Sequence, residues 1–171
     1  MASVPIGLDQ VPEDLYLESS AYDYSEYFDG AVIEKALPHK KHGRLVGWLC
    51  PLIEQSEYGG AVEVRSKLGA RHYRLPDLAV APKADWKTGP AYPEKPYVLC
   101  IEILSQAKDL QSTIDKCRLC HAWGVPHCWI LDPETETGWQ CDVESTPVNV
   151  AELSGGSLRL SVKQIFSVFH E

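Results

Sequence analysis

The sequence predicts an α/β fold in which a mixed β-sheet is flanked by helices and extended by β-hairpins. Residues 97–104 are almost continuously apolar, which is typical of a strand covered on both faces. A helical segment and a second apolar strand follow, so residues 97–131 form a βαβ unit. Short alternating segments around glycine-containing turns predict the hairpins.

Chain length and composition indicate one domain. The chain has 171 residues, of which 44% are hydrophobic, and this is enough to bury one sizeable core. We predict a loose leader over residues 1–20, with a short helical turn near its end, and a single domain over residues 21–171. The sequence has no signal-peptide pattern and no apolar run of membrane-spanning length, which predicts a cytoplasmic protein without membrane contact.

The first half of the chain predicts a hairpin, a helix and two strands. Apolar segments over residues 24–28 and 31–36 flank Asp29-Gly30, a dipeptide typical of tight hairpin turns. Helical spacing follows over residues 40–57 and is stopped by Gly59-Gly60. Pro51 should kink this helix or divide it in two. Residues 61–67 and 74–81 have strand patterns, and the proline-rich residues 82–96 form a loop.

The second half places a helix and hairpins around the central strand. A polar loop leads to a helix over residues 112–123, for which Ser112 is the predicted N-cap and Gly124 the stop. Strands are expected at residues 127–131 and 139–143. A hairpin over residues 148–160 turns at Gly155-Gly156, and Ser161 caps a short final helix.

The net charge and the cysteines limit the possible functions. A net charge of -8 argues against non-specific nucleic-acid binding, which needs a basic surface. Two basic clusters could still line one groove: Lys35, Lys40, Lys41 and Arg44, and Arg65, Lys67, Arg71 and Arg74. The six cysteines lie in apolar segments and are expected as reduced core residues. Cys117 and Cys120, followed by His121, leave zinc as the weaker alternative because no second pair has metal spacing.

Three residues suggest a hydrolytic metal site. Glu102 interrupts the apolar central strand, and a carboxylate buried there must be paired, hydrogen-bonded or bound to a metal. Asp77 follows a proline at the start of the preceding strand, and Lys116 lies on the helix after the central strand. Two carboxylates on neighbouring strands can hold magnesium, and a lysine can orient the attacking water. The alternatives are an ordinary salt-bridge cluster and a solvated Glu102.

Four segments resemble the Uma-two family, whose members carry the restriction-endonuclease-like PD-(D/E)XK nuclease fold. They are EYFDGAVIEKALPHKKH, YRLPDLAV, YVLCIEILS and WGVPHCWILDPE, and the resemblance covers most of residues 24–169. It implies that Asp77 and Glu102 bind Mg2+ (or Mn2+). By the same resemblance, Lys116 is the catalytic lysine, moved to the helix, and Glu26 and His42 match accessory positions near the site.

The resemblance implies a metal-dependent endonuclease that hydrolyses phosphodiester bonds, with DNA as the expected substrate. We expect a homodimer, because two grooves related by symmetry would suit a two-stranded substrate. The alternative is a catalytically inactive binding or regulatory module that has kept the fold. Ser112, which replaces a family aspartate, and the acidic net charge favour this alternative, whereas the intact set of Asp77, Glu102 and Lys116 favours the enzyme.

Overall fold

A computed structural model of the chain describes residues 10–105 and 109–171. Its α-helices are α1 (Glu13–Glu18), α2 (Lys40–Glu54), α3 (Leu110–Trp123) and α4 (Val162–Phe166). Its strands are β1 (Ser25–Phe28), β2 (Ala31–Glu34), β3 (Tyr58–Val62), β4 (Ser66–Gly69), β5 (His72–Arg74), β6 (Leu78–Pro82), β7 (Leu99–Ile103), β8 (His127–Asp132), β9 (Thr137–Asp142), β10 (Val148–Asn149), β11 (Glu152–Gly155) and β12 (Leu158–Ser161). Among the described helices, none has the length and apolar character needed to cross a membrane.

A six-stranded mixed sheet organises the fold, with strand order β10-β9-β8-β7-β6-β3. Strands β7 and β8 are parallel and are connected through α3, whereas the other described pairs of this sheet are antiparallel. All five residues of β7 are buried, as its continuous apolar pattern predicts. The predicted α/β class, with a mixed sheet flanked by helices and additional hairpins, is confirmed.

Each face of the six-stranded sheet is covered by a different layer. On one face, α2, α4 and the β11-β12 hairpin bury a large aliphatic and aromatic core that includes Leu49, Ile101, Trp129 and Phe166. On the other face, α3 packs over a second core that is rich in cysteine. Alternate residues of β7 therefore enter different cores.

A second sheet has four strands, in the order β2-β1-β5-β4. The hairpin turn at Asp29 (φ 45°) and Gly30 (φ 95°) has the predicted positive φ angles. Helix α1 falls within the expected leader, yet its Tyr16 is completely buried and stacks on Tyr27 with ring centroids 4.7 Å apart. Residues 13–18 are therefore packed rather than loose, because a buried aromatic pair holds them.

Several element boundaries differ from the sequence prediction. Helix α2 is continuous through Pro51, so of the two predicted effects of this proline, a kink or a division, the division is wrong. Gly59 and Gly60 belong to β3, where they pair with Ala81 and Val80 of β6. A Cβ at Gly59 would lie 2.9 Å from the Trp86 ring, so this position needs glycine. The predicted strands at residues 61–67 and 74–81 are each divided, because the chain passes between two sheets.

The N-cap of α3 is Asp109, whose side chain accepts a hydrogen bond from Ser112 N at 2.6 Å, so Ser112 is not the cap. Parts of two predictions, residues 1–9 of the leader and residues 106–108 of the polar loop, lie outside the described residues.

Candidate active site

Asp77 and Glu102 occupy opposite positions on neighbouring strands. Leu78 of β6 pairs with Ile101 of β7 in antiparallel register, so Asp77, which precedes β6, comes opposite Glu102 when this register continues. Asp77 is 1% exposed and Glu102 is 3% exposed. Two like charges in such a cross-strand position repel, so the pair requires a compensating cation.

The backbone around Asp77 explains its orientation. Residues 75–77 carry the chain from β5 in the four-stranded sheet to β6 in the six-stranded sheet. Pro76 has no N–H to satisfy in this crossing segment. Asp77 Oδ2 accepts a hydrogen bond from Ile103 N at 2.8 Å, which ties the carboxylate to the end of β7. The acidic centre, formed by the carboxylates of Asp77 and Glu102, therefore lies where the two sheets meet.

Lys35 supplies a cation in contact with the acidic centre. Its Nζ donates to Asp77 Oδ1 at 3.0 Å and to Leu75 O at 2.7 Å, and lies 3.4 Å from Glu63 Oε1. Burial by itself would lower the pKa of Lys35, but the charges of Asp77, Glu102 and Glu63 more than reverse this and raise the pKa above 10.5. The ammonium group is therefore charged at neutral pH and balances part of the acidic charge.

Glu63 joins the centre through an uncommon backbone conformation. Its φ of 51° lies in the left-handed region, which costs a residue with a side chain about 1–2 kcal/mol. The Tyr24 hydroxyl donates a hydrogen bond to Glu63 Oε1, the same oxygen that faces Lys35. These contacts offset the backbone strain and bring a further carboxylate to the Lys35 ammonium.

His42 approaches the acidic centre from the first turn of α2. Its Nε2 lies 3.3 Å from Asp77 Oδ2, and the residue is 7% exposed. The other ring nitrogen, Nδ1, is buried and has no hydrogen-bond partner among the described residues. One side of this imidazole therefore contacts the acidic centre, and the other has unused hydrogen-bonding capacity.

Glu26 supports the crossing segment, residues 75–77, from strand β1. Its Oε1 accepts a hydrogen bond from Leu75 N at 3.1 Å, and its Oε2 lies 3.1 Å from the Arg74 guanidinium. Leu75 O in turn accepts from Lys35. Glu26 is therefore linked to the acidic centre through the backbone of residue 75.

Lys116 lies half-buried on α3, one turn from Thr113 and Cys120 on the helix face that packs against the sheet. Among the described residues, the ion pairs of Asp77 are with Lys35 and His42, and none joins Lys116 to either carboxylate. The structure thus brings together Asp77, Glu102 and His42 of the predicted site.

Lys35 contacts the acidic centre and Glu63 contacts Lys35, although no sequence pattern marked either of them as a site residue. Lys35 was expected on a basic groove, yet its side chain is only 5% exposed. Arg74, expected on the same groove, is likewise buried against Glu26. No local pattern distinguishes Lys35 from its exposed neighbour Lys40, because its burial depends on carboxylates far away in sequence. Glu63 lies in a segment with a strand pattern, and its positive φ has no signal in the sequence.

The donors of the acidic centre fit a hard divalent cation. Asp77 and Glu102 offer carboxylate oxygens from neighbouring positions, which magnesium and manganese prefer. Within residues 10–105 and 109–171, no three His, Cys, Asp or Glu side chains are grouped so as to hold a metal ion. A cation held by the two carboxylates would therefore complete its ligand shell with water and substrate, as Mg2+ commonly does. It would also have to share Asp77 with the Lys35 ammonium.

Comparisons with known proteins agree with this fold. The model of the Uma-two family, described as "Putative restriction endonuclease", matches residues 12–159. Among solved structures, the chain is similar to a "putative nuclease belonging to DUF820" from Anabaena variabilis. The two chains share 22% sequence identity with a TM-score of 0.74, and the match covers 84% of this chain and 90% of the other. No curated protein matches the chain.

The match to the solved structure shows a shared fold, and the family model extends over both sheets and the residues of the acidic centre. The centre described above thus lies inside the matched region, between residues 26 and 102. The chain belongs to the Uma-two family of restriction-endonuclease-like proteins.

Proposed function

We propose that the chain is a metal-dependent endonuclease that hydrolyses phosphodiester bonds, with DNA as its substrate. The observation that supports this most directly is the buried pair of carboxylates, Asp77 and Glu102, at opposite positions of β6 and β7. Burying two close carboxylates is costly unless a cation is held between them. A nuclease is also the activity named for the family and for the structural neighbour.

In this proposal Asp77 and Glu102 hold Mg2+ or Mn2+. When bound, such a cation supplies a water of lowered pKa and stabilises negative charge on the phosphate. Hydrolysis adds the water oxygen to phosphorus and breaks one P–O ester bond, which yields a phosphomonoester and a hydroxyl group. The protein excludes bulk water from the buried carboxylates and fixes Asp77 through the amide of Ile103.

Three further residues have assigned roles. Lys116, from the flank of α3, orients the attacking water or balances charge on the phosphate. His42 positions the Asp77 carboxylate, since its Nε2 lies 3.3 Å from Asp77 Oδ2. Glu26 positions the crossing segment through its hydrogen bond with Leu75 N. We also propose that the protein acts in the cytoplasm as a homodimer that presents two such centres to a duplex.

The test is cleavage of supercoiled and linear DNA with Mg2+, with Mn2+ and with EDTA. Cleavage should require the metal. Because a metal ion contributes several kcal/mol to the transition state, Glu102→Gln should lower the rate by about 100-fold or more. A matched control is Asp85→Asn, which removes a partly exposed carboxylate that pairs with Lys95 in another region. Equal rates for wild type and Glu102→Gln would contradict the proposal.

The second candidate function is a nuclease-fold binding or regulatory module. The ion pair between Lys35 and Asp77 favours it, because a protein cation already neutralises one of the proposed metal ligands. This candidate predicts metal-independent binding of nucleic acid without cleavage under any metal condition. Titration calorimetry with Mn2+ separates the two functions, since the enzyme should bind the metal and Asp77→Asn should weaken that binding. Light scattering measures the oligomeric state independently.

A further inference from the structure

We propose that the N-terminus of α2 binds a backbone phosphate of the nucleic acid, beside the phosphodiester that reacts at Asp77 and Glu102. This inference rests on the proposed function and names where the substrate strand is held. Three features of one region support it: backbone donors that the helix does not use, an adjoining cavity, and a buried histidine nitrogen that has no hydrogen-bond partner in the described part of the chain.

The first turn of α2 has backbone donors that the helix does not use. The N-cap residue, His39, is extended (φ -72°, ψ 163°) and makes no side-chain cap, and the first turn contains no acidic residue. The first backbone hydrogen bond of the helix runs from Gly43 N to His39 O at 3.0 Å. The amides of residues 40–42 therefore have no acceptor within the helix. Such free amides, together with the helix dipole, attract anions.

Cationic side chains reinforce this end of the helix. Lys40 is exposed, and Lys41 pairs with Glu134 at 2.9 Å. The side chains of this pair are 41% and 65% exposed, so water and salt screen it and its contribution is small. A phosphate can therefore replace Glu134 as the partner of Lys41.

A cavity of about 420 Å³ adjoins these donors. It is lined by residues 39–42, by Leu104 and Ser105 after β7, and by Pro133 and Glu134 after β8. Leu104 comes two residues after Glu102, so the cavity lies at the end of β7 that carries the acidic centre. Its volume is within the range of small-ligand sites and can hold a phosphate with part of its nucleoside.

His42 provides the independent observation that a ligand belongs here. It lines the cavity, it is 7% exposed, and its buried Nδ1 has no hydrogen-bond partner among the residues described. Buried polar atoms nearly always have a partner, so this nitrogen marks a place that a ligand or its water completes. His42 both lines the cavity and contacts Asp77 through Nε2, so it connects the acidic centre with the phosphate site.

The experiment uses the full chain in EDTA, so that no cleavage is involved. Amide NMR spectra are recorded during titration with inorganic phosphate and with a single-stranded DNA oligonucleotide. Both probes should shift the amide signals of residues 40–42 in a saturable way. Affinity for the oligonucleotide is then measured across a salt series, in which each phosphate contact contributes about 0.7 to the slope of log affinity against log salt.

Variants at His39 separate binding from folding. His39→Asp places a carboxylate at the N-cap, where it should raise the melting temperature yet weaken phosphate binding by about tenfold or more, because it occupies the same donors. His39→Ala leaves the amides free and should still bind. Lys40→Gln with Lys41→Gln should lower the salt slope, whereas Lys87→Gln, an exposed lysine in the loop after β6, should not.

Each result bears on the proposal. Unchanged phosphate affinity in His39→Asp overturns it. Phosphate shifts without any change of oligonucleotide affinity among the variants would identify a free-anion site and overturn the nucleic-acid assignment. The titrations are made in EDTA, so they do not depend on whether the acidic centre cleaves DNA. Failure of the proposed activity and failure of this phosphate site can therefore be distinguished.

Discussion

Two groups of buried titratable residues share one face of the six-stranded sheet, and they differ in what their burial requires. Cys100 and Glu102 are two residues apart on β7, so their side chains leave the same face. Around Cys100, four further cysteines from α3, β8 and β9 form the cysteine core: Cys117, Cys120, Cys128 and Cys141. Around Glu102 lies the acidic centre, with Asp77, Lys35 and Glu63.

The thiols of the cysteine core form hydrogen bonds with one another. Cys100, Cys128 and Cys141 occupy one row across β7, β8 and β9, facing the thiols of α3. Hydrogen bonding to Cys120, together with complete burial, raises the pKa of Cys100 well above its usual range, so that thiol is uncharged. Hydrogen bonds with Cys128 and Cys141 lower the pKa of Cys117 to about 5, so the partners that set these pKa values are chiefly thiols of the same core.

The acidic centre, in contrast, carries charges that have to be balanced from elsewhere in the chain. Lys35 comes from the end of the first hairpin and Glu63 from the segment after β3. Burial of a titratable group is therefore not by itself a sign of function. Several charges that lie together inside the protein are a stronger sign, because each of them needs a partner of opposite charge.

The largest expected effect is a difference in cleavage rate between variants of two adjacent residues of α3, Lys116 and Cys117. Lys116→Met should lower the cleavage rate by about 100-fold, because it removes a proposed catalytic group but keeps the packing of the side chain. Its neighbour Cys117→Ala, in the cysteine core, should leave the rate per folded molecule unchanged. Cleavage rates and melting curves of both variants measure this. Full activity of Lys116→Met would remove the residue from the proposed site.

The next effect concerns the charge balance of the acidic centre. Lys35→Met removes the ammonium group that pairs with Asp77 and should destabilise the metal-free protein by about 3 kcal/mol, as expected for breaking a buried pair. Saturating Mn2+ should restore part of this stability. The control Lys41→Met removes an exposed pair and should cost less than about 1 kcal/mol. Urea unfolding with and without Mn2+ gives both values, and similar losses in the two variants would contradict the comparison.

The charge of Lys35 also gives a stability that depends on pH. Its pKa in the folded protein is raised above the usual 10.5, so the folded state binds this proton more tightly than the unfolded state. The resulting stability is fully present below pH 10.5 and is lost as the pH rises through the raised folded value. Unfolding midpoints measured above pH 10 should therefore fall more steeply in wild type than in Lys35→Met.

A smaller effect is expected in the cysteine core. Cys128→Ala removes one buried thiol and should cost about 1 kcal/mol, within the usual range of single substitutions. Metal affinity and cleavage should not change, since no charge of the acidic centre is altered. Calorimetric titration with Mn2+ provides the check. A change in metal affinity beyond threefold would show that the two regions are coupled.

The smallest expected effect isolates the backbone strain at Glu63. Glu63→Gly and Glu63→Ala both remove the carboxylate that faces Lys35, but glycine adopts the φ of 51° without penalty. The glycine variant should therefore be more stable than the alanine variant by about 1 kcal/mol. Equal unfolding free energies would mean that the segment relaxes once the contact with Lys35 is lost.

The order and type of the main elements could be predicted from local patterns. The continuous apolar strand, the Asp29-Gly30 turn and the Ser161 cap of α4 are confirmed because each depends on residues that are close in sequence. The helix and strand boundaries around Pro51 and Gly59 were less predictable, since packing against Trp86 and pairing with β6 override local preference. The packed position of α1 likewise depends on Tyr27, which follows it in the chain.

The sequence by itself marked Asp77 and Glu102 as candidates, because an acid within or next to an apolar strand stands out against its neighbours. Only the tertiary structure decided which cation accompanies them. Lys35 resembles the surface lysines that follow it, and its Nζ contacts Asp77 and Glu63 because two sheets meet at that point. Electrostatic partners are chosen by distance in space, which local sequence patterns do not encode, and so the counter-charge of the acidic centre became visible only in the folded chain.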